Sequence, residues 1–334
     1  MITAWEDRFT AGVVELWNKQ AVRDGYKSLT EDDFTALFLL SPYFDREAAF
    51  VLVDQDREWD QQEQKREHVQ VLGFACGCTG DDLPLGERAG YITCIILAES
   101  VQTDESYRMM IGAIERRFQQ RGKQQADFLF FNPMKLPWLI PGTDEHEHNN
   151  APGVPEGSRL HEFLLRYGYV ERALECGMYL PLGAFSIPEE IRGKESKAAA
   201  EGYRVELFDS MKHSGLEQML AGLDNPLWQE QIPRYAADGV PVMIAAYQGK
   251  AAGFAGPIIR EPSGRAFFIG IGVHPQHEGH GLGSILFFKM CEAFQQAGAE
   301  YISLFTGSEN PAKRIYEKAG FQTVKRFAIM RREF

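Results

Sequence analysis

At 334 residues, 44% of them hydrophobic and 25% charged, the chain is too long for one ordinary core and predicts about two soluble domains. Its net charge of −12 sits in the first 200 residues, where 21 Lys+Arg face 33 Asp+Glu, while residues 201–334 balance at 14 and 14. An acidic half repels phosphate backbones, so no nucleic-acid partner is expected; it would suit an amine-bearing substrate, or serve simply as a solvated surface. The start lacks a basic stretch followed by an apolar run, and no apolar stretch approaches the roughly 18 residues of a membrane span. The five cysteines are odd in number and scattered. They read as packed, reduced thiols in a cytoplasmic protein without membrane contact.

In chain order, apolar periodicity predicts a helix over 7–19, a strand over 49–53, a charged hairpin insertion over 54–68 and strands over 69–77 and 90–97. A long helix over 107–119 and a strand over 127–131 follow. The connection 131–159 is unusually apolar and reads as a lid, an inter-domain contact or plain packing. Residues 181–202, with an Ala-rich charged run, read as a linker. Beyond it the same order returns: a helix over 210–222, strands over 242–247, 251–259 and 266–273, a long helix over 283–297, a strand over 301–305, a short helix over 311–319 and a strand over 321–331. Gly73-Phe74-Ala75 parallels Gly253-Phe254-Ala255, and Tyr167-Gly168-Tyr169 parallels Ala319-Gly320-Phe321. Two copies of one α/β domain with a mixed sheet account for the length, as 1–180, a linker at 181–202, and 203–334.

Chemistry concentrates at 271–284. The strand ends at Val273, Pro275 blocks its continuation, and Gly279, Gly281 and Gly283 alternate directly before an amphipathic helix. Such glycines let successive N–H groups point one way, and the positive end of a helix follows; together they form an anion site suited to a pyrophosphate. A flexible strand-to-helix turn is the competing reading. A second segment, Asn310-Pro311-Ala312 through Tyr316 to Gly320, stands just past an apolar strand.

In that order and separation the two segments resemble the GNAT superfamily of acetyl-CoA-dependent N-acyltransferases over about residues 203–334. Residues 1–180 resemble it only in the order of elements, as in tandem GNAT proteins. The resemblance implies that the backbone of Ile271, Gly272 and Val273 binds the pantetheine arm. It implies that the amides of Gly279, His280, Gly281, Leu282, Gly283 and Ser284 hold the pyrophosphate, and that Asn310 and Ala312 contact the cofactor. Tyr316 would protonate the departing thiolate. Glu278 departs from the Arg or Gln that usually opens the loop, and Phe305 stands where some members carry a glutamate base.

Acyl transfer requires a neutral amine, a donor for the developing oxyanion and a proton for the thiolate. A phenol with a pKa near 10 can protonate a thiolate whose acid has a pKa of about 8.5. His274, His277 and Glu278 are the candidate bases, His274 foremost, and an amine of low pKa needs none. The first half carries Asp104 and Glu105 in place of the glycine loop, and Leu164 where Tyr316 stands, so it reads as a degenerate copy. Asp144, His146 and His148 lack a second cluster with ligand spacing, so no metal is expected. The expected activity is acetyl transfer to a small-molecule primary amine, cationic amines included. The alternatives are transfer of another acyl or aminoacyl group, and a non-catalytic acyl-CoA-binding sensor or scaffold.

Overall fold

A computed structural model describes residues 1–56, 68–83, 85–128 and 132–334. The hairpin expected over 54–68 therefore lies mostly outside the described residues, as does the end of the strand expected over 127–131. In chain order the elements begin with β1 (Ile2–Ala4), α1 (Thr10–Gln20), α2 (Glu31–Phe34), β2 (Ala49–Asp56), β3 (His68–Cys78), β4 (Ala89–Leu97), α3 (Asp104–Gln120) and β5 (Gln125–Phe128). Short strands β6 (Trp138–Leu139), β7 (Glu147–His148) and β8 (Val154–Pro155) precede α4 (Arg159–Tyr167) and β9 (Val170–Pro181). Next come α5 (Glu189–Ala200), β10 (Tyr203–Leu207), α6 (Leu216–Ala221), α7 (Pro226–Ala237), β11 (Met243–Tyr247), β12 (Lys250–Gly256), β13 (Ile259–Arg260), β14 (Arg265–Phe267) and β15 (Gly270–Val273). The chain ends with α8 (Leu282–Gln296), β16 (Tyr301–Gly307), α9 (Lys313–Lys318) and β17 (Gln322–Glu333). The mixed α/β fold expected from the sequence is present.

Two compact units form. Unit 1 comprises Met1–Gly177, Phe305–Ser308 and Val324–Phe334, and unit 2 comprises Met178–Leu304 and Glu309–Thr323. In unit 1 the strands run β1-β2-β3-β4-β5-β17. Helix α3 supplies the central apolar face through Met110, Ile111, Ile114 and Phe118, all fully buried. These positions recur at helical spacing, which is why the segment folds as one amphipathic helix against the sheet. The described part of the apolar connection, from 132 on, packs within this unit: Trp138 pairs with His148 through β6 and β7, and the two rings stack at 6.2 Å.

Two features depart from the order read in the sequence. Residues 324–334 do not close the second unit but stand in unit 1, where Met330–Glu333 run antiparallel to β5. The chemical reason is a set of buried carboxylates. Asp127, with no exposed side-chain surface, accepts from Arg331 Nε at 2.7 Å, and Glu115 pairs with Arg332 at 3.0 Å while accepting from Tyr169 Oη at 2.9 Å. Charges removed from water in this way require close partners, and the two arginines supply them. Second, the expected linker carries α5, which belongs to unit 2. Its Ile191 and Ala198 are buried, and Glu195 pairs with Lys289 of α8 at 2.7 Å.

Unit 2 has the sheet β10-β11-β12-β15, with α6 and α7 packing Leu216, Leu220 and Ile232 over Ile244 and Phe254. β14 pairs in parallel with β16 at Arg265↔Tyr301 and Ala266↔Ile302. After Phe268 and Ile269 the chain resumes as β15, which pairs only with β12 among the described residues. Trp228 fixes this break: its indole N–H donates to the Ile269 carbonyl at 3.1 Å, and a Cβ on Gly270 would lie 2.3 Å from the ring. One edge of β15 is thus left without a strand partner.

Candidate active site

The unpaired edge of β15 carries Ile271, Gly272 and Val273, all half-buried. It leads through His274 and a 3₁₀ turn (Pro275–His277) into the glycine loop and α8. Gly279 and Gly281 have φ of +83° and +73°, a region that side-chain-bearing residues enter at a cost. These two inversions turn the loop back over the helix end. Among the described residues, none of the N–H groups of Gly279, His280, Gly281, Leu282, Gly283 and Ser284 donates to a protein acceptor; the series resumes at Ile285, which bonds Gly281 O at 3.2 Å. Gly281 caps α8 without a side-chain hydrogen bond, and no acidic residue stands in the first turn. Unsatisfied donors at the positive end of a 15-residue helix are suited to an anion. Glu278 is solvent-exposed, so its carboxylate is not buried against these donors.

Tyr316 stands on α9, and its ring packs on Phe287 of α8 at 5.0 Å and Phe321 at 5.9 Å. Burial raises its phenol above the usual tyrosine range, so the proton stays on at neutral pH. Asn310 is exposed, and its Oδ1 accepts from the Ala312 N–H at 2.9 Å, which shapes the turn that starts α9. The structure therefore joins the β15 edge, the glycine loop and Tyr316 through one helix, α8. Val273 Cγ2 lies 3.9 Å from where a Cβ on Gly283 would stand, and Tyr316 rests on Phe287 one turn further along.

The candidate base His274 caps its own turn, Nδ1 accepting from the Gln276 N–H at 3.3 Å. Its Nε2 lies only 2.2 Å from the position of a Cβ on Gly222, so that nitrogen faces the end of α6. His277 Nδ1 meets Tyr203 Oη at 2.9 Å, and its pKa is lowered by burial, then by the charges of His274 and His280. His280 Nδ1 lies 2.5 Å from the Glu201 carboxylate.

Three residues beside the loop escaped sequence reasoning because they lie in or next to the supposed linker. Glu201 and Tyr203 hold the loop histidines. Lys194, on α5, lays its stem along Gly281, with Cδ 3.6 Å from where a Cβ on that glycine would be. Its ammonium is shared with Glu190 at 3.3 Å. The charged, Ala-rich composition of 194–201 could have been read as an amphipathic helix bringing a cation to the loop.

Residues 209–321 match the acetyltransferase (GNAT) family profile. A mycothiol acetyltransferase of Thermobifida fusca (strain YX) is 29% identical over 116 residues, 32% of this chain and 35% of that protein, so the chain spans about a third of this curated relative's length. Among solved structures, a GCN5-related N-acetyltransferase from Sphaerobacter thermophilus superposes with a TM-score of 0.62 at 12% identity, covering 100% of this chain and 95% of that one. A tandem GNAT protein from the clavulanic acid biosynthesis pathway gives 0.54 at 14%, covering 100% and 98%. The GCN5-related glucosamine N-acetyltransferase region of a fungal multi-domain GH3 β-N-acetylglucosaminidase gives 0.65 at 13%, covering 99% of this chain and 38% of that chain. At these identities the structures speak to fold, and the fold they share runs through both units. The likeness to the acetyltransferase (GNAT) family is thus carried by residues 209–321, about a third of the chain, and by the fold that the solved structures share.

Proposed function

We propose that the protein is an acetyl-CoA-dependent N-acetyltransferase that acts on a small primary amine by direct attack. The carrying observation is the row of six open N–H groups from Gly279 to Ser284 at the start of α8. Oriented donors of this kind fit the pyrophosphate of coenzyme A, whose thioester supplies the acyl group when bound. The unpaired edge of β15 at Ile271–Val273 offers backbone groups to an amide-bearing arm, and a backbone N–H near Gly272 or Val273 serves the developing oxyanion. Asn310 and Ala312 line the same path before α9. Tyr316, kept protonated by burial, gives its proton to the leaving sulfur.

For a base, His277 is better placed than His274, because its lowered pKa leaves it neutral at pH 7 and its Nδ1 is held by Tyr203. The T. fusca relative carries the name mycothiol acetyltransferase, so small molecules come first among the acceptors to screen. Calorimetric titration with acetyl-CoA tests the loop, and absence of binding at millimolar cofactor rejects the reading. Release of free thiol across an amine panel tests transfer, and Tyr316→Phe is expected to lower kcat by about 100-fold while leaving cofactor affinity unchanged. The exposed carboxylate of Glu278 at the loop mouth keeps one second reading in view, a binding-only sensor. That reading predicts saturable acetyl-CoA binding with no thiol release for any amine.

A further inference from the structure

A cavity of about 280 Å³ opens in unit 1, beside the part of β4 that runs past its pairing with β5. Among the described residues β4 and β5 pair at Ala89↔Gln125, Gly90↔Ala126 and Tyr91↔Asp127, and none of the described residues pairs as a strand with that edge of β4 along Thr93–Leu97. The floor is apolar, formed by Ile95, Leu97 and Phe128. Two tyrosines line it, Tyr26 and Tyr107, which are only 9% and 6% exposed. Among the described residues neither hydroxyl has a hydrogen-bond partner, and neither belongs to the fully buried unsatisfied oxygens, so both open onto the cavity.

Two opposite charges also line the cavity. Asp24 and Arg159 both line it, and neither forms an ion pair within 4 Å among the described residues; burial raises the Asp24 carboxyl, and Lys325, whose ammonium donates to the Asp24 backbone carbonyl, opposes that. Asp24 and Arg159 act on the same phenol: burial and then Asp24 hold Tyr107 up at about 12, and Arg159 opposes them. A phosphate finds no open helix end here. The helix that follows is capped by Thr103, whose Oγ1 takes the Ser106 N–H at 3.2 Å, and its first turn is acidic. The volume lies just below the usual range of drug-sized pockets, which suits a compact molecule.

We propose that this cavity is a small-molecule site for a compact zwitterion, a free amino acid with an apolar side chain, whose ammonium is taken by Asp24 and whose carboxylate is taken by Arg159. The two phenols then bond the polar end, and the apolar side chain lies over Ile95, Leu97 and Phe128. This site is independent of the glycine loop, and its ligand need not enter the transfer reaction.

Calorimetric titration of the full chain with L-leucine, L-methionine and L-phenylalanine tests it. At least one is expected to bind saturably, and for leucine the single-charge analogues leucinamide and 4-methylpentanoate should bind at least about tenfold more weakly. Asp24→Asn and Arg159→Gln should each weaken amino-acid binding by a similar factor while leaving acetyl-CoA titration unchanged. Tyr107→Phe keeps the shape and should reproduce part of the loss, with circular dichroism and melting behaviour unaltered. The proposal is overturned if none of the three amino acids binds at millimolar concentration, if both single-charge analogues bind as well as leucine, or if binding survives both charge-removing variants. None of these outcomes touches the acetyl-CoA reading, which has its own titration.

Discussion

The two units share one connection, a strand leading by a short turn into a long helix, and differ in what satisfies the start of that helix. In unit 1, α3 begins behind Thr103, whose side chain takes the Ser106 N–H, and Asp104 and Glu105 occupy the first turn. The helix end is thus neutralised by the chain itself. In unit 2, α8 begins behind Gly281, with no cap, no carboxylate in the first turn and six N–H groups open. The same connection therefore yields a helix end satisfied by its own chain in one unit and a helix end with open donors in the other. A few side chains at the turn decide between them.

The strongest way to break this contrast is to give α8 the character of α3. Gly281→Glu places a carboxylate among the open donors and forces a residue with a Cβ to φ of +73°. Acetyl-CoA binding is expected to vanish from a calorimetric titration, with a stability cost of only about 1–2 kcal/mol from the strained backbone. Gly281→Ala carries the strain without the charge and should retain measurable binding. If both variants bind alike, electrostatics at the helix end is not what distinguishes the units.

A second contrast lies in how the sheets are completed, since unit 1 takes its last strand from residues 324–334. Arg331→Ala leaves Asp127 buried without its guanidinium, and chemical denaturation should report a loss of about 3–5 kcal/mol. The double change Arg331→Met with Asp127→Leu should recover most of it, because the charge that needed a partner is gone as well. Failure of that recovery would place the strand's anchoring elsewhere along β17.

Much of unit 2 was legible in the sequence because its signals are local. Glycines at 279, 281 and 283, a proline ending the strand and an amphipathic run identify the loop within a dozen residues. The destination of the final strand was not legible, because Arg331 and Arg332 find Asp127 and Glu115 some two hundred residues away. Nothing in residues 321–331 distinguishes a strand that pairs in one unit from a strand that pairs in the other. α5 was missed for a different reason. Its buried face is just Ile191 and Ala198, too thin a stripe for periodicity to stand out from a charged connector. Lys194, Glu201 and Tyr203 went unnoticed with it.

Smaller effects sharpen the picture of the loop. His277 is neutral in the folded protein, with its pKa lowered chiefly by burial, whereas the unfolded chain takes up the proton at the ordinary histidine value. The unfolded state therefore binds more protons between these two values. This contribution to stability is present above the ordinary histidine pKa and is lost as pH falls through the depressed folded one. His277→Gln should flatten that acid limb of stability against pH. Tyr203→Phe, which removes the 2.9 Å bond to His277 Nδ1, should cost about 1 kcal/mol at neutral pH.

The smallest effect falls to Lys194; the cation at the start of α3, Arg166, is instead held by the first-turn carboxylate of Asp104. The stem of Lys194 lies along Gly281, its side chain is 39% exposed, and Glu190 already shares its ammonium at 3.3 Å. A half-exposed, shared charge acts on a nearby anion through much of the solvent's dielectric, so Lys194→Ala should weaken acetyl-CoA binding by only about two- to fivefold. The loss should shrink as salt is raised, since screening removes what the ammonium contributes while leaving the backbone donors intact. Lys194→Glu should weaken binding further and steepen its salt dependence in the opposite sense. If Lys194→Ala instead abolishes binding at every ionic strength, the cation and not the open helix end holds the anion, and the contrast between Thr103 and Gly281 loses its explanatory force.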